Sequence, residues 1–464
     1  MATPFQRMKI DIERRAKVLP EEVKRWNDAA AAGDTGDITK TVGKNGIYQS
    51  QIEALKVMMD ELATRQTELL NKLDPASTSE GYASAYLSLA DEIVSSHEIW
   101  RIFRYIIGLH KDAILGPLVD AAGLIARDCY LTCMNKARSW NLVQDDQFRA
   151  PPLVYLEAEM SPSTASRGFA AESLGFPLRR YRNMRLPIPI ILLPSDNASS
   201  MWMFATLHHE VGHNLDQDLN ITKSLSDSFI TRLIKEGIDK DGRDKMWFLW
   251  MSEILADVFG IMLGGAGFAH ALSWWLLILA PDPTFKELNT KDVHPPYYVR
   301  VYLIVLMLRF FKIPALNTAA DLIQQKWDTM QKPGWVAPYI GDCEKIVDFF
   351  FTQRVSSLGD QRTLRDLAPD MADDVRRVND LENYLRTNFM SPDVKLATSA
   401  KWRHVPVAAQ LAFINHPNPE LNALNDIQDR ALNYLAGIDR PNKMSGATGT
   451  NKFFRDLMRD LKFS

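Results

Sequence analysis

Most of the chain has the spacing of apolar residues that predicts amphipathic helices. Between residues 48 and 73, apolar side chains recur every three or four positions, and the same period continues from residue 86 to residue 140. Side chains at this spacing lie on one helix face, where they can pack against a neighbouring element. The pattern predicts an N-terminal helical region over residues 1–145. For residues 48–73, where Gln66 interrupts the repeat, it allows a coiled coil or one arm of a helical hairpin, and the hairpin is favoured.

The pattern changes after residue 145, where two segments have the composition of strands. Residues 150–159 alternate apolar and acidic side chains, which is typical of a half-exposed strand. Residues 186–194 are apolar and β-branched but contain three prolines. They predict an edge strand, because proline cannot donate a hydrogen bond within a sheet. An edge strand could bind an extended substrate backbone by strand addition.

Helical periodicity returns at about residue 199 and continues through the C-terminal third. Turn and N-cap residues precede a helix predicted over residues 199–215. Beyond residue 311, further amphipathic helices are separated by turns that contain proline. We therefore predict a mainly α fold of the α+β class, with a central region over residues 146–310 that holds a small sheet and a C-terminal helical region over residues 311–464. These regions could also form one compact unit.

The helix over residues 199–215 contains an H-E-x-x-H motif. His209 and His213 are four residues apart and therefore lie on one helix face, so both imidazoles can bind one metal ion. Glu210 lies about 100° around the helix axis. From there its carboxylate can reach a metal-bound water without binding the metal, which is the position that a general base needs.

A catalytic zinc site takes three protein ligands and keeps one position for water, so a third ligand is needed. A histidine six residues after His213 is excluded, because that position is Leu219. Further along the chain, Glu253 and Asp257 are again four residues apart on a predicted helix. Glu253 can complete the metal sphere. Asp257, one turn later, can accept the second N–H of a metal-bound imidazole and so fix its tautomer.

An H-E-x-x-H motif followed by E-x-x-x-D resembles the gluzincin metallopeptidases of the thermolysin-like clan. The resemblance covers about residues 186–302. It implies a zincin-like catalytic core, Zn²⁺ bound by His209, His213 and Glu253, and Glu210 as the general base. The ligands alone would serve any hydrolysis of a polarised carbonyl. A peptide or protein substrate is therefore implied by the resemblance only.

The stretch from His294 to Arg300 contains a His-Pro-Pro sequence followed by an arginine. It is similar to the H-P-x-x-x-x-R segment of the CAAX-prenyl-protease and heat-shock membrane protease group. The similarity implies that His294 and Arg300 face the cleft and stabilise the oxyanion, directly or by positioning the substrate. Two alternatives stay open. Arg300 could instead pair with a carboxylate of the second motif and brace the helices, or Tyr297 or Tyr298 could donate to the oxyanion.

Composition and charge narrow the class of protein. The chain has 464 residues, of which 46% are hydrophobic and 24% charged, with a formal net charge of −3 and a pI of about 6.3. This balance is typical of a globular protein and argues against a nucleic-acid partner, which favours a basic surface. The three cysteines, Cys129, Cys133 and Cys343, are too few for a disulfide framework, and we interpret them as buried thiols.

The N-terminus and one apolar segment bear on where the protein acts. The N-terminus lacks the apolar stretch of a secretory signal, so we expect a cytoplasmic protein, with export by a dedicated machine left open. Residues 260–280 are uncharged and largely apolar, which meets the length criterion for a membrane span. A buried helix is favoured, because the segment directly follows the helix predicted to hold Glu253 and contains several glycines and His270. No membrane span is therefore expected.

Two other functions compete with a general peptidase. The chain could be a catalytically silent, metal-binding regulatory module, although such a module has no physical need for Glu210. It could also be a toxin or effector protease with one protein target, which would share the chemistry. His404 and His416 lack a spaced partner, and we interpret them as surface or structural histidines rather than residues that close over the cleft. Neither the cleavage preference nor the oligomeric state follows from the sequence.

Overall fold

The structure is a computed structural model, and its description covers residues 4–32, 49–73, 79–109, 115–143, 149–157, 161–168, 186–195, 200–279, 288–330, 332–388, 400–417 and 420–435. These residues are mainly helical and contain one three-stranded sheet, which confirms the mainly α prediction. The strands are β1 (Leu153–Glu157), β2 (Ser163–Ala165) and β3 (Ile190–Pro194). The helices are α1 (Pro4–Ala32), α2 (Gln49–Asn71), α3 (Ser79–Gly108), α4 (Gly116–Ser139), α5 (Leu207–Leu219), α6 (Ile221–Lys235), α7 (Arg243–Leu249), α8 (Met251–Leu279), α9 (Tyr297–Phe310), α10 (Pro314–Asp328), α11 (Ala337–Thr352), α12 (Met371–Thr387), α13 (His404–Ile414) and α14 (Leu421–Leu435).

The chain forms two compact units. The first contains residues 1–119, 149–155 and 165–190, and the second contains the remainder. The second unit therefore includes residues from both the predicted central region and the predicted C-terminal region. The three-part division made from the sequence stays a prediction.

In the first unit, α1, α2 and α3 pack around a shared apolar core. Ile12 of α1, Leu73 at the end of α2 and Leu89 of α3 are buried together there. The apolar face of α2 is thus buried within the chain, in keeping with the hairpin interpretation. Gln66, which interrupts the apolar repeat, is also buried, and its Nε2 donates to Ser96 Oγ of α3 at 3.0 Å. A neighbouring helix therefore satisfies the amide nitrogen of this polar residue.

The sheet has the strand order β1, β3, β2. The strand predicted within residues 150–159 is confirmed by β1. The prediction of an edge strand at residues 186–194 is wrong, because β3 is the central strand. Two of the three prolines precede Ile190 and the third is the last residue of β3, so no proline lies in the interior of the strand. β2 is instead an edge strand of the described sheet.

In the second unit, α8 is the central helix and packs against α5, α9, α10 and α13. Every residue from Glu253 to Gly265 is buried. The helical path is broken at Gly265, where φ is 52° and ψ is −134°. A residue with a Cβ adopts this conformation only with strain, so glycine is required at the break. The acidic motif therefore lies on a helix that is held by packing on several sides.

α8 is also the apolar segment that raised the question of a membrane span. Residues Met251–Ile278 are long and apolar enough to cross a membrane by length and composition, with a mean hydropathy of 1.5. In the structure, 67% of the apolar stretch is buried inside the protein. The core helix of a globular unit passes the same test of length and composition. The absence of a membrane span stays a prediction.

Candidate metal centre

α5 and α8 cross at a glycine, which lets the two helix backbones approach closely. A Cβ built on Gly212 would lie 2.9 Å from both the Cα and the carbonyl oxygen of Ala256, and 3.0 Å from Cβ of Phe259. Gly212 directly precedes His213, and Ala256 directly precedes Asp257. The close crossing therefore brings the histidine motif of α5 against the acidic motif of α8.

The side chains of three residues on the two helices form a small triangle. His209 Nε2 lies 3.1 Å from His213 Nε2, and carboxylate oxygens of Glu253 lie 3.3 Å from each of these nitrogens. Bonds of about 2.0–2.1 Å to a tetrahedral ion imply roughly 3.3 Å between ligand atoms. These three residues, which the sequence predicts as metal ligands, could therefore hold one metal ion.

The facing ring nitrogens and the carboxylate of the triangle also favour the binding of a cation. The Nε2 atoms of His209 and His213 face each other, and Glu253 Oε2 is buried without a hydrogen-bond partner among the described residues. Burial opposes ionisation of Glu253, but the two histidines outweigh it and lower the pKa of this carboxyl. Burial likewise lowers the pKa of His209, but Asp257 and Glu253 outweigh it and raise this pKa to about 9. Without a metal ion the site takes up a proton, which a metal ion would displace.

Asp257 is fully buried and is shared between His209, a predicted metal ligand, and an arginine. Its Oδ1 lies 2.8 Å from His209 Nδ1, which is the arrangement of a carboxylate that orients a metal-bound imidazole. Arg300 of α9 donates from Nε to Oδ2 at 2.7 Å and from Nη2 to Oδ1 at 2.9 Å. Burial raises the pKa of Asp257, but Arg300 and His209 outweigh it and lower this pKa.

Arg300 is itself buried, and its Nη2 also lies 3.6 Å from Glu253 Oε2. The observed contacts are those of the bracing alternative, in which the arginine pairs with a carboxylate of the second motif. A bidentate pair with Asp257 uses two of the guanidinium donor groups. The oxyanion role of Arg300 stays a prediction.

Glu210 is buried beside the triangle, with 6% of its surface exposed. Burial raises the pKa of its carboxyl, against the opposing effect of His209 and His213. A raised pKa brings a carboxyl group closer to the range in which it can both take and return a proton near neutral pH. The backbone carbonyl of Glu210 accepts a hydrogen bond from Asn214 Nδ2 at 2.9 Å, and the same nitrogen donates to Thr164 Oγ1 of β2 at 2.9 Å. The edge strand β2 therefore lies next to α5.

His294 is more exposed than the other residues of the site, with 52% of its side chain accessible, and its Nε2 lies 3.5 Å from Glu253 Oε2. Asp292 Oδ1 accepts a hydrogen bond from the backbone N–H of His294 at 2.9 Å and lies 3.0 Å from its Nδ1. The imidazole is thus held at the rim of the centre. Of the two tyrosine alternatives, Tyr298 packs its ring edge-on against Trp327, with centroids 5.4 Å apart.

The sequence predicted the three residues that the structure brings together, but it did not predict some of the residues that support them. Asp216, in the last turn of α5, accepts hydrogen bonds from the N–H and the hydroxyl of Thr222 at the start of α6, both at 2.7 Å. The sequence does not indicate that Thr164 supports the site, because Thr164 lies 50 residues before its partner Asn214. His208 is not part of the ligand group. Its two ring nitrogens lie 2.8 Å and 3.0 Å from backbone carbonyl oxygens.

Comparison of the chain with protein-family models, with curated proteins and with solved structures finds no match in any of the three.

Proposed function

We propose that this protein is a zinc-dependent metallopeptidase with a zincin-like catalytic core. The observation that carries the proposal is the triangle of His209, His213 and Glu253 with Glu210 buried beside it. Structural zinc sites favour cysteine ligands and leave no position open, whereas this set is two imidazoles and one carboxylate. A carboxylate next to three such ligands supports hydrolysis, because it provides a base for an attacking water.

A zinc ion held by these side chains would polarise a substrate carbonyl and lower the pKa of a bound water to about 7. Glu210 takes the proton from the attacking water and returns it to the leaving amine. Its buried position supports this role, because a carboxyl group with a raised pKa takes and returns protons more readily near neutral pH. Asp257 holds His209 in the tautomer that leaves Nε2 for the metal, and Arg300 keeps Asp257 ionised.

His294 is the better placed of the two predicted oxyanion donors. Its imidazole lies at the exposed rim of the triangle, where a substrate carbonyl would bind, while Arg300 is buried and paired with Asp257. We propose that His294 donates to the oxyanion and that Arg300 is a positioning residue. A donor aimed at a developing oxyanion contributes roughly 10²–10³ to the rate.

The position of β2 supports a peptide as the substrate. Thr164 links this edge strand to α5 through Asn214, and Ser163 is exposed. An extended peptide can add to such an edge by backbone hydrogen bonds. We therefore propose that the substrate backbone adds to β2, and not to residues 186–194, which the sequence predicted as the edge strand.

The proposal is tested by measuring metal content and cleavage on the same preparations. We expect one zinc per chain in the wild-type protein and none after His209→Ala combined with His213→Ala. Glu210→Gln keeps the zinc but loses cleavage of a proteome-derived peptide library, because an amide cannot take the proton. Glu344→Gln is the matched control, since Glu344 is exposed on α11.

Each competing function predicts a different outcome. Zinc without cleavage in the wild-type protein would support the silent regulatory module, and cleavage of one protein but no peptides would support the effector. A metal ion that persists in the double histidine variant would place the metal site elsewhere. Cleavage that is unchanged by Glu210→Gln would remove Glu210 from the mechanism.

A further inference from the structure

A cavity of about 170 Å³ lies in the second unit at the break in α8. Its lining begins at Met262, five residues after Asp257 on the same helix, and includes none of the metal-site residues. The floor is buried and aliphatic, and no aromatic ring other than histidine contributes to the lining. The floor includes the side chains of Met262, Leu263, Leu316, Ala319, Met371 and Val378.

The mouth of the cavity is formed by exposed residues of α10 and α12 and by the residue that follows α13. Thr318 and Leu322 of α10, Asn379 of α12 and Asn415 line it and are exposed. Leu322 is 53% exposed although it is a large apolar residue. The cavity thus has an apolar interior and an accessible opening, the arrangement of a small-molecule site.

The break at Gly265 forms part of the cavity wall. Its backbone conformation, with φ of 52°, is one that residues with a Cβ adopt only with strain. Breaking the helix there interrupts the regular pattern of backbone hydrogen bonds beside the cavity. The fold therefore keeps an irregular backbone at the site where the cavity forms.

The cavity also contains a buried donor without a satisfied partner. His404 is 1% exposed, and its Nδ1 accepts a hydrogen bond from the backbone N–H of Lys401 at 3.1 Å. In a neutral imidazole the proton is then on Nε2. Nε2 lies 3.1 Å from Asp374 Oδ1 but is not aligned for a hydrogen bond with any described residue. A buried donor in this state favours a ligand that can accept from it.

Asp374, which also lines the cavity, supplies the complementary acceptor. Its Oδ2 accepts from Arg403 Nη2 at 2.6 Å, so one oxygen of the carboxylate is occupied and its charge is balanced. The other oxygen, Oδ1, lies beside His404 Nε2. A hydroxyl or a primary amide can accept from the histidine and donate to this oxygen. A ligand carboxylate would instead face the like charge of the Asp374 carboxylate, which already pairs with Arg403.

We propose that this cavity binds a small neutral aliphatic molecule with one hydroxyl or amide group, with the chain on the floor and the polar group beside His404 Nε2 and Asp374 Oδ1. An apolar cavity of about 150 Å³ accepts a molecule of the size of benzene, so the ligand has about six to eight non-hydrogen atoms. The site is separate from the metal triangle and does not depend on the proposed peptidase activity.

The test uses hexan-1-ol and hexanoate as probes on the full chain, with methionine methyl groups observed by NMR. Met262 and Met371 line the cavity, so their methyl signals report on its occupancy. We expect hexan-1-ol to shift both signals with a saturable dissociation constant on the order of 1 mM, from burial of a six-carbon chain. Hexanoate, which has the same chain length, should bind at least about tenfold more weakly.

The variant places a bulky residue at the mouth of the cavity, and its control places the same residue at an exposed position on the same helix. Thr318→Tyr should reduce hexan-1-ol binding at least about tenfold by covering the opening. Gln325→Tyr should leave binding unchanged, because Gln325 is exposed on α10 and does not line the cavity. Absence of saturable binding in the wild-type protein, or equal binding in the Thr318→Tyr variant, would overturn the site. Equal binding of hexanoate would overturn the neutral polar group.

Discussion

At the scale of single residues, the metal centre depends on one carboxylate that has two partners. Asp257 Oδ1 lies 2.8 Å from His209 Nδ1 and accepts from Arg300 Nη2 at 2.9 Å. The histidine contact fixes the imidazole orientation, and the arginine contact stabilises the ionised form of the acid. A buried carboxylate is unfavourable unless both kinds of partner are present.

Asp257→Asn should weaken zinc affinity or the catalytic rate by about 10 to 100-fold without unfolding the chain. The amide can still accept one hydrogen bond, but it loses the charge that makes His209 a stronger ligand. Competition titration with a zinc chelator measures the affinity, and circular dichroism checks the fold. Asp360→Asn, at an exposed position, is the matched control. An unchanged affinity and rate would leave Asp257 with a purely structural role toward Arg300.

Arg300→Ala and His294→Ala should have different effects. Arg300→Ala leaves the buried Asp257 charge without its cation, so we expect a loss of roughly 3–5 kcal/mol in the free energy of unfolding, together with reduced zinc content. His294→Ala removes a half-exposed side chain, so stability and zinc content should stay near wild type while the catalytic rate falls by roughly 10²–10³.

Urea unfolding, metal analysis and turnover on the two variants separate these roles. If Arg300→Ala kept its stability and zinc but lost 100 to 1000-fold in rate, the oxyanion role predicted from sequence would belong to Arg300. If His294→Ala left the rate untouched, His294 would have no part in catalysis.

At the scale of elements, the site exists because α5 and α8 approach closely. The nearest backbone atoms of Ala256 would lie 2.9 Å from a Cβ on Gly212. These are backbone atoms within a buried helix, so they cannot move aside as the end of a flexible side chain can. A larger residue at position 212 must therefore separate the helices that carry the metal ligands.

Gly212→Ala should destabilise the protein by about 1–3 kcal/mol, as overpacking of a buried contact does, and weaken metal binding at the same time. Gly341→Ala is the control, because Gly341 is also helical, on α11, and a Cβ there would meet no atom within 4 Å. That variant should be neutral or more stable by about 0.5–1 kcal/mol, since alanine favours the helix. Equal stability and affinity of the two variants would show that the crossing tolerates a Cβ.

At the scale of the whole molecule, the metal centre links ligand binding to pH. The pKa of His209 in the metal-free protein is about 9, above its ordinary value of 6.5. Protonated His209 therefore stabilises the metal-free protein fully below about pH 6.5, and this stabilisation is lost as the pH rises through about 9. A metal ion competes with that proton for the same imidazole.

Zinc affinity should therefore rise by about tenfold for each pH unit from pH 7 to about 9 and level off above, because one proton is released from His209 on binding. Chelator-buffered titrations across this range measure the slope, and calorimetry in buffers of different ionisation enthalpy counts the protons. An affinity that stays constant between pH 7 and 9 would show that His209 is already neutral in the metal-free protein.

The sequence by itself determined the local parts of the site. His209 and His213 share a helix face, and so do Glu253 and Asp257, because the helical repeat relates residues four apart in any helix. The mainly helical content was predicted in the same way, from the spacing of apolar residues along the chain. The position of Glu210, the proposed base, also followed from the geometry of one helical turn.

Only the tertiary structure decided which distant groups meet. Glu253 lies 40 residues after His213, and the contact at Gly212 that brings their helices together has no signature in spacing. The same holds for the pairing of Arg300 with Asp257, for the central place of β3 and for the cavity at Gly265. Periodicity specifies which face of an element is apolar, but the partner of that face is selected by how complementary surfaces pack across the chain.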